Sequence, residues 1–264
     1  MRYVVFLDLD NTFWTVDGVP ESALEAIGRA QARGHRVFSN TGRSRGETRD
    51  LMPYGLDGRC YAAGAEAFLG ERKVVDNPLG VEVSRALLEV LDVGEGILIA
   101  EGGDRCFVRG YDADFLAETQ RTCARTNDPF IDHPDIGLMS DADHAQIYKY
   151  SLWVRGGVPA DVLSSIPEGF VPTSMGDATE FTDLRFSKAT VLETIRRIVE
   201  ETDGKEYATM AVGDSGNDIS MLRAAQVSVC MGNGTNEAKD VADYVTRAID
   251  EDGLYHAFEH FKLI

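Results

Sequence analysis

The sequence lacks a long apolar run and is poor in positive charge. No stretch approaches the roughly 20 consecutive apolar residues that a membrane-spanning helix needs. The chain carries 26 Lys and Arg against 44 Asp and Glu, a net charge of −18. Because so acidic a chain repels phosphate backbones, we expect neither a membrane protein nor a general nucleic-acid-binding protein.

Cysteine is also scarce, and the four that occur lie far apart: Cys60, Cys106, Cys123 and Cys230. Because no two of them form a C-x-x-C pair, the spacing favours isolated thiols in a reducing cytoplasm over a disulfide framework or a zinc ribbon. The N-terminal apolar stretch meets Asp8 too early for a secretory signal peptide. The protein is therefore expected to be cytoplasmic.

What is present is the composition of a globular protein, with 44% hydrophobic and 27% charged residues. This balance excludes a collagen-like, mucin-like or wholly disordered chain. The 264 residues are about twice the most common domain size, so one large or two modest domains are expected.

The chain opens with a βαβ pattern. Tyr3–Leu7 is continuously apolar and predicts a buried strand, a helix is predicted between Pro20 and Gly34, and Arg36–Ser39 predicts a second strand. Strands joined through a helix pair in parallel with a right-handed crossover. The C-terminal part repeats the pattern with a helix led by Val191 and ended by Gly204, a strand at Thr209–Val212, a helix at Asn217–Ala225, a strand at Val227–Met231 and a last helix carrying Leu254, Phe258 and Phe261.

The middle of the chain has hairpin signals instead. Ile97–Glu101 and Arg105–Val108 flank two glycines, Gln146–Val154 alternates in character, and Phe170–Ser174 and Thr179–Leu184 flank a second turn. Residues 80–180 also hold 7 Lys and Arg against 18 Asp and Glu, a net charge of −11. The sequence therefore predicts an α/β fold, a Rossmann-like parallel-sheet core with helices on both faces (residues 1–79 and 181–264), with an inserted α+β cap domain at 80–180.

Two candidate sites follow the first two strands. Asp8 and Asp10 lie two apart, so on an extended strand both carboxylates face one point, which suits a divalent cation or a nucleophile with a general acid/base. The alternative is a solvated turn, since Asp and Asn favour turns. Thr41 and Gly42 end the second strand, where a hydroxyl and a backbone N–H can reach an oxyanion, although Thr–Gly is more often a turn or helix cap.

Two further candidates lie in the C-terminal part. Lys188 precedes a helix N-terminus, where a cation opposes the helix dipole, and a bound phosphate would explain that position. Taken alone, however, a flexible surface lysine is the commoner explanation, because the dipole effect is small. Removal of Lys188 is then expected to cost little stability. The string Gly213–Asp218 ends a strand and opens a helix. Within it, Asp214 could complete an oxygen-ligand site for Mg²⁺, while Asn217 or Asp218 could simply cap the helix.

With these residues the chain resembles the haloacid dehalogenase superfamily of phosphohydrolases, in particular its Cof-type group with a large α/β cap. The core motifs that carry the resemblance cover residues 1–77 and 182–264, and the strings DLDNT and GDSGNDISML are highly specific. The resemblance implies an aspartyl-phosphate mechanism and a Mg²⁺ cofactor.

The resemblance also implies a role for each candidate residue. Asp8 is the implied nucleophile, and Asp10 the implied general acid/base that protonates the leaving alcohol and then activates water. The other implied roles are phosphate binding for Thr41, Gly42, Lys188 and Asn217, and metal binding for Asp8, the Asp10 backbone carbonyl, Asp214 and Asp218, the last directly or through water.

Three positions depart from the family pattern. Asn11 and Ala189 stand where Gly is usual, and Asn233–Gly234–Thr235 replaces a commoner Asn–Ala. None of these changes removes a reacting group. They bear on loop geometry and substrate fit.

The sequence therefore predicts a Mg²⁺-dependent phosphatase of small phosphorylated metabolites, with sugar phosphates as the expected substrates. The protein is expected to be a monomer or homodimer and to bind neither nucleic acid nor membrane. The same residues allow a phosphotransferase or mutase with the same aspartyl-phosphate, because cap closure and water exclusion choose the acceptor. A catalytically silent binding module is the third reading, which the complete set of acids, hydroxyl and lysine disfavours.

Overall fold

The computed structural model describes residues 1–15, 17–48, 51–125 and 133–264, with the side chains of residues 120–125 excepted. Its strands are β1 (Tyr3–Leu7), β2 (Arg36–Asn40), β3 (Gly58–Tyr61), β4 (Glu66–Leu69), β5 (Arg72–Asp76), β6 (Ile97–Gly102), β7 (Cys106–Gly110), β8 (Ile147–Trp153), β9 (Phe170–Met175), β10 (Ala178–Asp183), β11 (Ala208–Gly213), β12 (Val227–Cys230) and β13 (Tyr244–Val245). Its α-helices are α1 (Glu21–Ala32), α2 (Val81–Leu91), α3 (Ala113–Arg125), α4 (Asp141–His144), α5 (Ala160–Ser165), α6 (Thr190–Asp203), α7 (Ile219–Ala224), α8 (Asn236–Lys239) and α9 (Gly253–His260).

Contacts between residues divide the chain into two compact units. The first comprises Met1–Gly42, Asp50–Val75 and Phe186–Ile264, and the second comprises Arg43–Arg49 and Asp76–Arg185. Whether residues 80–180 act as a cap that selects the substrate stays a prediction. In the described part of the chain, no helix has the length and apolar character needed to cross a membrane.

The first unit is built on an eight-stranded sheet in the order β13-β12-β11-β1-β2-β3-β4-β5. β1 lies in the middle of the sheet and pairs in parallel with both β11 and β2. Val4, Val5, Phe6 and Leu7 are fully buried because helices cover both faces of this strand. The predicted parallel-sheet core is confirmed.

Two apolar cores lie on the two faces of this sheet. Side chains of α1 and α9 pack on one face, and side chains of α6 and α7 pack on the other. The predicted layered α/β architecture is therefore confirmed. Beyond β2 the sheet continues with β3, β4 and β5, three strands that were not predicted from the sequence. β3 is parallel to β2, and β4 is antiparallel to β3.

The second unit is built on a five-stranded sheet in the order β7-β6-β8-β10-β9. Both predicted hairpins are present, since β6 pairs antiparallel with β7, and β9 with β10. The central strand β8 is antiparallel to β6 and to β10. One face of the sheet carries the larger apolar core, with side chains of α2 and α5, and the other packs against Phe115 and Leu116 of α3.

The structure describes the side chains of three of the four cysteines. Cys60, Cys106 and Cys230 are buried free thiols, as the spacing predicts. Burial raises the pKa of Cys230 to about 11, so this thiol is not a ready nucleophile. The side chain of Cys123 lies outside the described residues.

Candidate active site

The candidate site lies at the carboxyl edge of the large sheet. β1 pairs with β11 and β2 so that Leu7 is opposite both Val212 and Ser39. Asp8, which follows β1, and Asp214, which follows β11, therefore emerge side by side, and the Asp8 amide donates to the Val212 carbonyl at 2.9 Å. Ligands of open α/β folds bind at this edge.

Lys188 lies among the carboxylates rather than in solvent. Its side chain is 2% exposed, and its Nζ lies 2.6 Å from Asp8 Oδ1 and 2.7 Å from Asp218 Oδ1. Burial lowers the pKa of this ammonium, but Asp218 and Asp8 raise it more, so it lies above its usual value. The interpretation of Lys188 as a flexible surface cation is therefore wrong. Lys188 precedes α6, which begins at Thr190, and its ammonium group points into the carboxylate cluster.

Asp218 is fully buried, and its carboxyl group contacts both Lys188 and the loop that follows β11. Its Oδ1 accepts from Lys188, and its Oδ2 accepts the backbone amides of Asp214 at 2.9 Å and Ser215 at 3.0 Å. A Cβ on Gly213 would lie 2.6 Å from the Asp218 side chain, so only glycine leaves room for this carboxylate against the strand end. This role of Gly213 was not predicted, although a glycine at the end of a strand is a signal of such a close approach.

Three buried carboxylates meet at this point. One oxygen each of Asp8, Asp214 and Asp218 lies within 4.8 Å of the others. Burial, and then the charge of Asp218, raise the pKa of Asp8 to about 8 and of Asp214 to about 6, although Lys188 acts in the opposite direction on both. Clustered carboxylate oxygens with too little positive charge around them are the donor set that Mg²⁺ prefers, so these residues fit that ion.

Asp10 does not extend this cluster. β1 ends at Leu7, and Asn11, which follows Asp10, has a φ of 58°. That the Asp8 and Asp10 carboxylates face one point stays a prediction. One oxygen of the Asp10 carboxyl accepts from the Trp14 indole at 3.1 Å. Its charge still raises the pKa of Asp8 and Asp214, and a metal contact through its backbone carbonyl stays a prediction.

Thr41, Gly42 and Asn217 complete the predicted set. Thr41 is 1% exposed, its amide donates to the Cys60 carbonyl and its carbonyl accepts from the Ala63 amide, both at 3.0 Å. These bonds fix the end of β2 and, with it, the position of Gly42. Asn217 Oδ1 lies 3.4 Å from Lys188 Nζ and accepts from the Ser215 hydroxyl at 2.9 Å. Their roles in phosphate binding stay predictions.

Asn40 is a site residue to which the sequence analysis gave no role. It is fully buried, and its Nδ2 donates to the Lys188 carbonyl at 2.9 Å, which ties the lysine loop to the end of β2. Among the described residues, its Oδ1 has no hydrogen-bond partner. The available signal was an amide side chain that directly follows the predicted strand and directly precedes Thr41.

The departures from the family pattern have structural explanations. Asn11 adopts the left-handed region, which glycine favours and asparagine tolerates better than most residues. Ala189 has ordinary right-handed geometry, with φ −77° and ψ −45°, so glycine is not required there. Gly234 is packed tightly, because a Cβ at this position would lie 2.7 Å from the Asp214 carbonyl oxygen. The neighbouring Thr235 amide donates to that same oxygen at 2.8 Å and so supports Asp214.

Comparison with known proteins places this geometry in a family. The family model described as haloacid dehalogenase-like hydrolase matches residues 5–258. The chain is 25% identical over 274 aligned residues to YkrA of Bacillus subtilis (strain 168), covering 99% of this chain and 98% of that protein. It is 37% identical over 84 residues to the 5-amino-6-(5-phospho-D-ribitylamino)uracil phosphatase YcsE of the same organism, covering 32% of each protein.

A solved structure extends the similarity over the whole chain. The structure of the sugar phosphatase BT4131, described as a subclass IIB member of the haloacid dehalogenase superfamily, superposes with a TM-score of 0.82. The two chains are 25% identical, and the match covers 100% of each.

Proposed function

This chain belongs to the haloacid dehalogenase-like hydrolases, a family of phosphatases and phosphotransferases, and we propose that it is a Mg²⁺-dependent phosphatase that hydrolyses small phosphomonoesters through an aspartyl-phosphate on Asp8. The observation that carries the proposal is the contact of Asp8 with the Lys188 ammonium beside Asp214 and Asp218. A carboxylate that must attack a phosphate dianion needs positive charge nearby. Lys188 supplies one such charge, and a metal ion on the clustered carboxylates would supply more.

The reaction then proceeds in two halves. An Asp8 carboxylate oxygen attacks phosphorus, the bond to the leaving oxygen breaks, and Asp10 gives its proton to that oxygen. Asp10 next takes a proton from water, whose oxygen attacks phosphorus, so that Asp8 is regenerated and inorganic phosphate leaves. Lys188, Thr41 and the Gly42 backbone would hold the phosphoryl oxygens while charge develops on them.

The metal would be held by Asp8 and Asp214, with the Asp10 carbonyl completing the set. Asp218 would lie behind them, because both of its oxygens already accept hydrogen bonds from Lys188 and from backbone amides. When bound, Mg²⁺ supplies positive charge that offsets the repulsion between a carboxylate and a phosphate dianion.

Removing the metal is expected to abolish activity. Phosphate release from p-nitrophenyl phosphate should cease after chelation and return when Mg²⁺ is added in excess. Asp214→Asn should need a higher Mg²⁺ concentration for half-maximal rate, whereas the exposed Asp240→Asn should not. Full activity in excess chelator would contradict the metal assignment.

Phosphoryl transfer to a sugar acceptor uses the same residues and differs only in the second half-reaction. Product analysis with a pool of sugar phosphates separates the two outcomes: free phosphate indicates hydrolysis, and a new phosphorylated sugar indicates transfer. A silent binding module would release no phosphate from any ester with or without Mg²⁺.

The charges of the second unit support a neutral or aminated leaving group. Of the cations in residues 80–180 that could receive a second anion, those with described side chains are already ion-paired. Lys149 lies 2.6 Å from Glu180, Arg105 lies 2.6 Å from Asp143, Arg109 lies 2.7 Å from Asp92 and Arg155 lies 2.7 Å from Glu118. The side chains of Arg121 and Arg125 lie outside the described residues.

Neutral and aminated sugar monophosphates are therefore expected to exceed sugar bisphosphates and phosphorylated acids in kcat/KM. The expected difference is roughly tenfold for each additional negative charge on the substrate, which is the scale of one unfavourable unit charge in a partly screened site. The measurement is kcat/KM across a panel of phosphorylated metabolites at physiological salt. If bisphosphates or carboxylated phosphates were the best substrates, the substrate class proposed here would be wrong while the phosphatase chemistry would stand.

A further inference from the structure

Trp14 contacts the carboxyl group of Asp10. The indole Nε1 donates to Asp10 Oδ1 at 3.1 Å. An indole N–H can only donate, so this contact fixes one carboxyl oxygen without offering a competing site for a proton. The χ2 torsion of an aspartate side chain has a broad distribution, and a directed hydrogen bond to one carboxyl oxygen narrows that distribution.

The loop that carries Trp14 is itself held in place. The Trp14 carbonyl accepts from the Asn11 amide at 2.9 Å, and the Trp14 amide donates to the Leu9 carbonyl at 3.0 Å. Asn233 Nδ2 donates to the Asn11 carbonyl at 2.9 Å, and Asn233 Oδ1 accepts from the Ile249 amide at the same distance. The loop is therefore tied to itself and to a second loop.

The ring of Trp14 is also packed. It lies partly buried against the apolar core formed by α1 and α9, with the ring of Phe13 at 6.4 Å between centroids. The backbone hydrogen bonds of the loop, the apolar core and the ring of Phe13 together hold the Trp14 indole N–H in one position. This is what a group needs if it is to orient a proton donor.

We propose that Trp14 is a positioning residue that holds the Asp10 carboxyl in the orientation from which it protonates the leaving oxygen. The inference rests on the proposed function, in which Asp10 is the general acid. In that step the Asp8 oxygen forms its bond to phosphorus, the electron pair of the breaking P–O bond goes to the leaving oxygen, and the Asp10 proton joins that oxygen. Trp14 takes part in none of these bonds.

The test uses the dependence of kcat/KM on the leaving group, because kcat/KM covers only the steps up to departure of the alcohol. Phenyl phosphate needs its leaving oxygen protonated far more than p-nitrophenyl phosphate does. Trp14→Phe, which keeps an aromatic ring but loses the N–H, is expected to lower kcat/KM by about tenfold for phenyl phosphate and by less than about threefold for p-nitrophenyl phosphate. A loss of packing alone would lower both equally.

Two controls separate this inference from the function on which it rests. Asp10→Asn should show the same leaving-group dependence more strongly, and adding Trp14→Phe to it should not increase that dependence further. Trp153→Phe removes the other tryptophan of the chain, which lies in the second unit, and should leave the dependence unchanged. If Trp14→Phe does not melt cooperatively, Trp14→Leu, which also lacks a donor, replaces it.

The outcomes are distinct. If Asp10→Asn steepens the leaving-group dependence and Trp14→Phe does not, the positioning role is wrong while Asp10 remains the acid. If Asp10→Asn does not steepen it either, Asp10 is not the acid, and both the proposed role of Asp10 and this inference are overturned. A steeper dependence in both single variants, without further increase in the double variant, supports the inference.

Discussion

Asp8→Asn is expected to lower phosphate release by at least about 10⁴-fold, the scale seen when an enzyme loses its nucleophile. An amide nitrogen or oxygen in place of the carboxylate does not attack phosphorus, and it does not carry the charge that a metal needs. The fold should survive, because the amide oxygen can still accept from Lys188 Nζ, which lies 2.6 Å from Asp8 Oδ1. The measurement is steady-state release from p-nitrophenyl phosphate with Mg²⁺.

The residue that carries the covalent phosphate can be identified directly in denatured enzyme. Native enzyme denatured during turnover should retain phosphate on Asp8, and Asp8→Asn should retain none. Asp240→Asn, an exposed aspartate in the same unit, is the matched control and should behave like the native protein. If Asp8→Asn kept a rate near the native one while Asp10→Ala lost its activity, the roles of nucleophile and acid would have to be exchanged.

The core strands β1, β2, β11 and β12 and their parallel arrangement could be predicted from the sequence, because apolar runs and the βαβ pattern are local signals. The apolar run before Asp8 and the repeated βαβ pattern place the ends of β1, β2 and β11 at one sheet edge, so Asp8, Thr41 and Asp214 are brought together by topology alone. The boundaries of the short elements were less predictable. The helix expected at Asn217–Ala225 is a 3₁₀ turn over Gly216–Asp218 followed by α7, since the Asp218 carboxyl folds back onto the amides that precede it.

Contacts made over long sequence separations could not be predicted in the same way. Lys188 and Asp8 are 180 residues apart, and only the fold shows that the ammonium enters the carboxylate cluster. Likewise, no sequence pattern indicated that the Trp14 indole meets the Asp10 carboxyl, a contact made in the loop that follows the end of β1 at Leu7. Local sequence shows which groups are available, while packing decides which of them meet.

Lys188→Ala is expected to damage both catalysis and folding. The sequence alone predicts little effect on stability, because a cation ahead of a helix opposes the helix dipole. The structure reverses this expectation, since Lys188 Nζ lies between Asp8 and Asp218, and the side chains of all three residues are at most 6% exposed. Removing the ammonium leaves two buried carboxylates without their cation.

The expected loss is about 3–5 kcal/mol in the free energy of unfolding, the cost of removing one partner of a buried ion pair. Activity should fall by roughly 10²–10³-fold, since the ammonium would also stabilise charge on the phosphoryl oxygens. Urea unfolding and kcat/KM for p-nitrophenyl phosphate on the same samples give both quantities. Lys205→Ala, which removes an exposed lysine from the same unit, is the control and should change neither.

A double variant shows whether the stability loss comes from unpaired charge. Adding Asp218→Asn to Lys188→Ala replaces one of the stranded carboxylates with a neutral amide, so part of the lost stability should return while activity stays low. If a general packing defect were the cause, the second substitution would destabilise the protein further, because Asp218 also binds the amides of Asp214 and Ser215. An unchanged unfolding midpoint in Lys188→Ala would show instead that the ammonium does not compensate these carboxylates in solution.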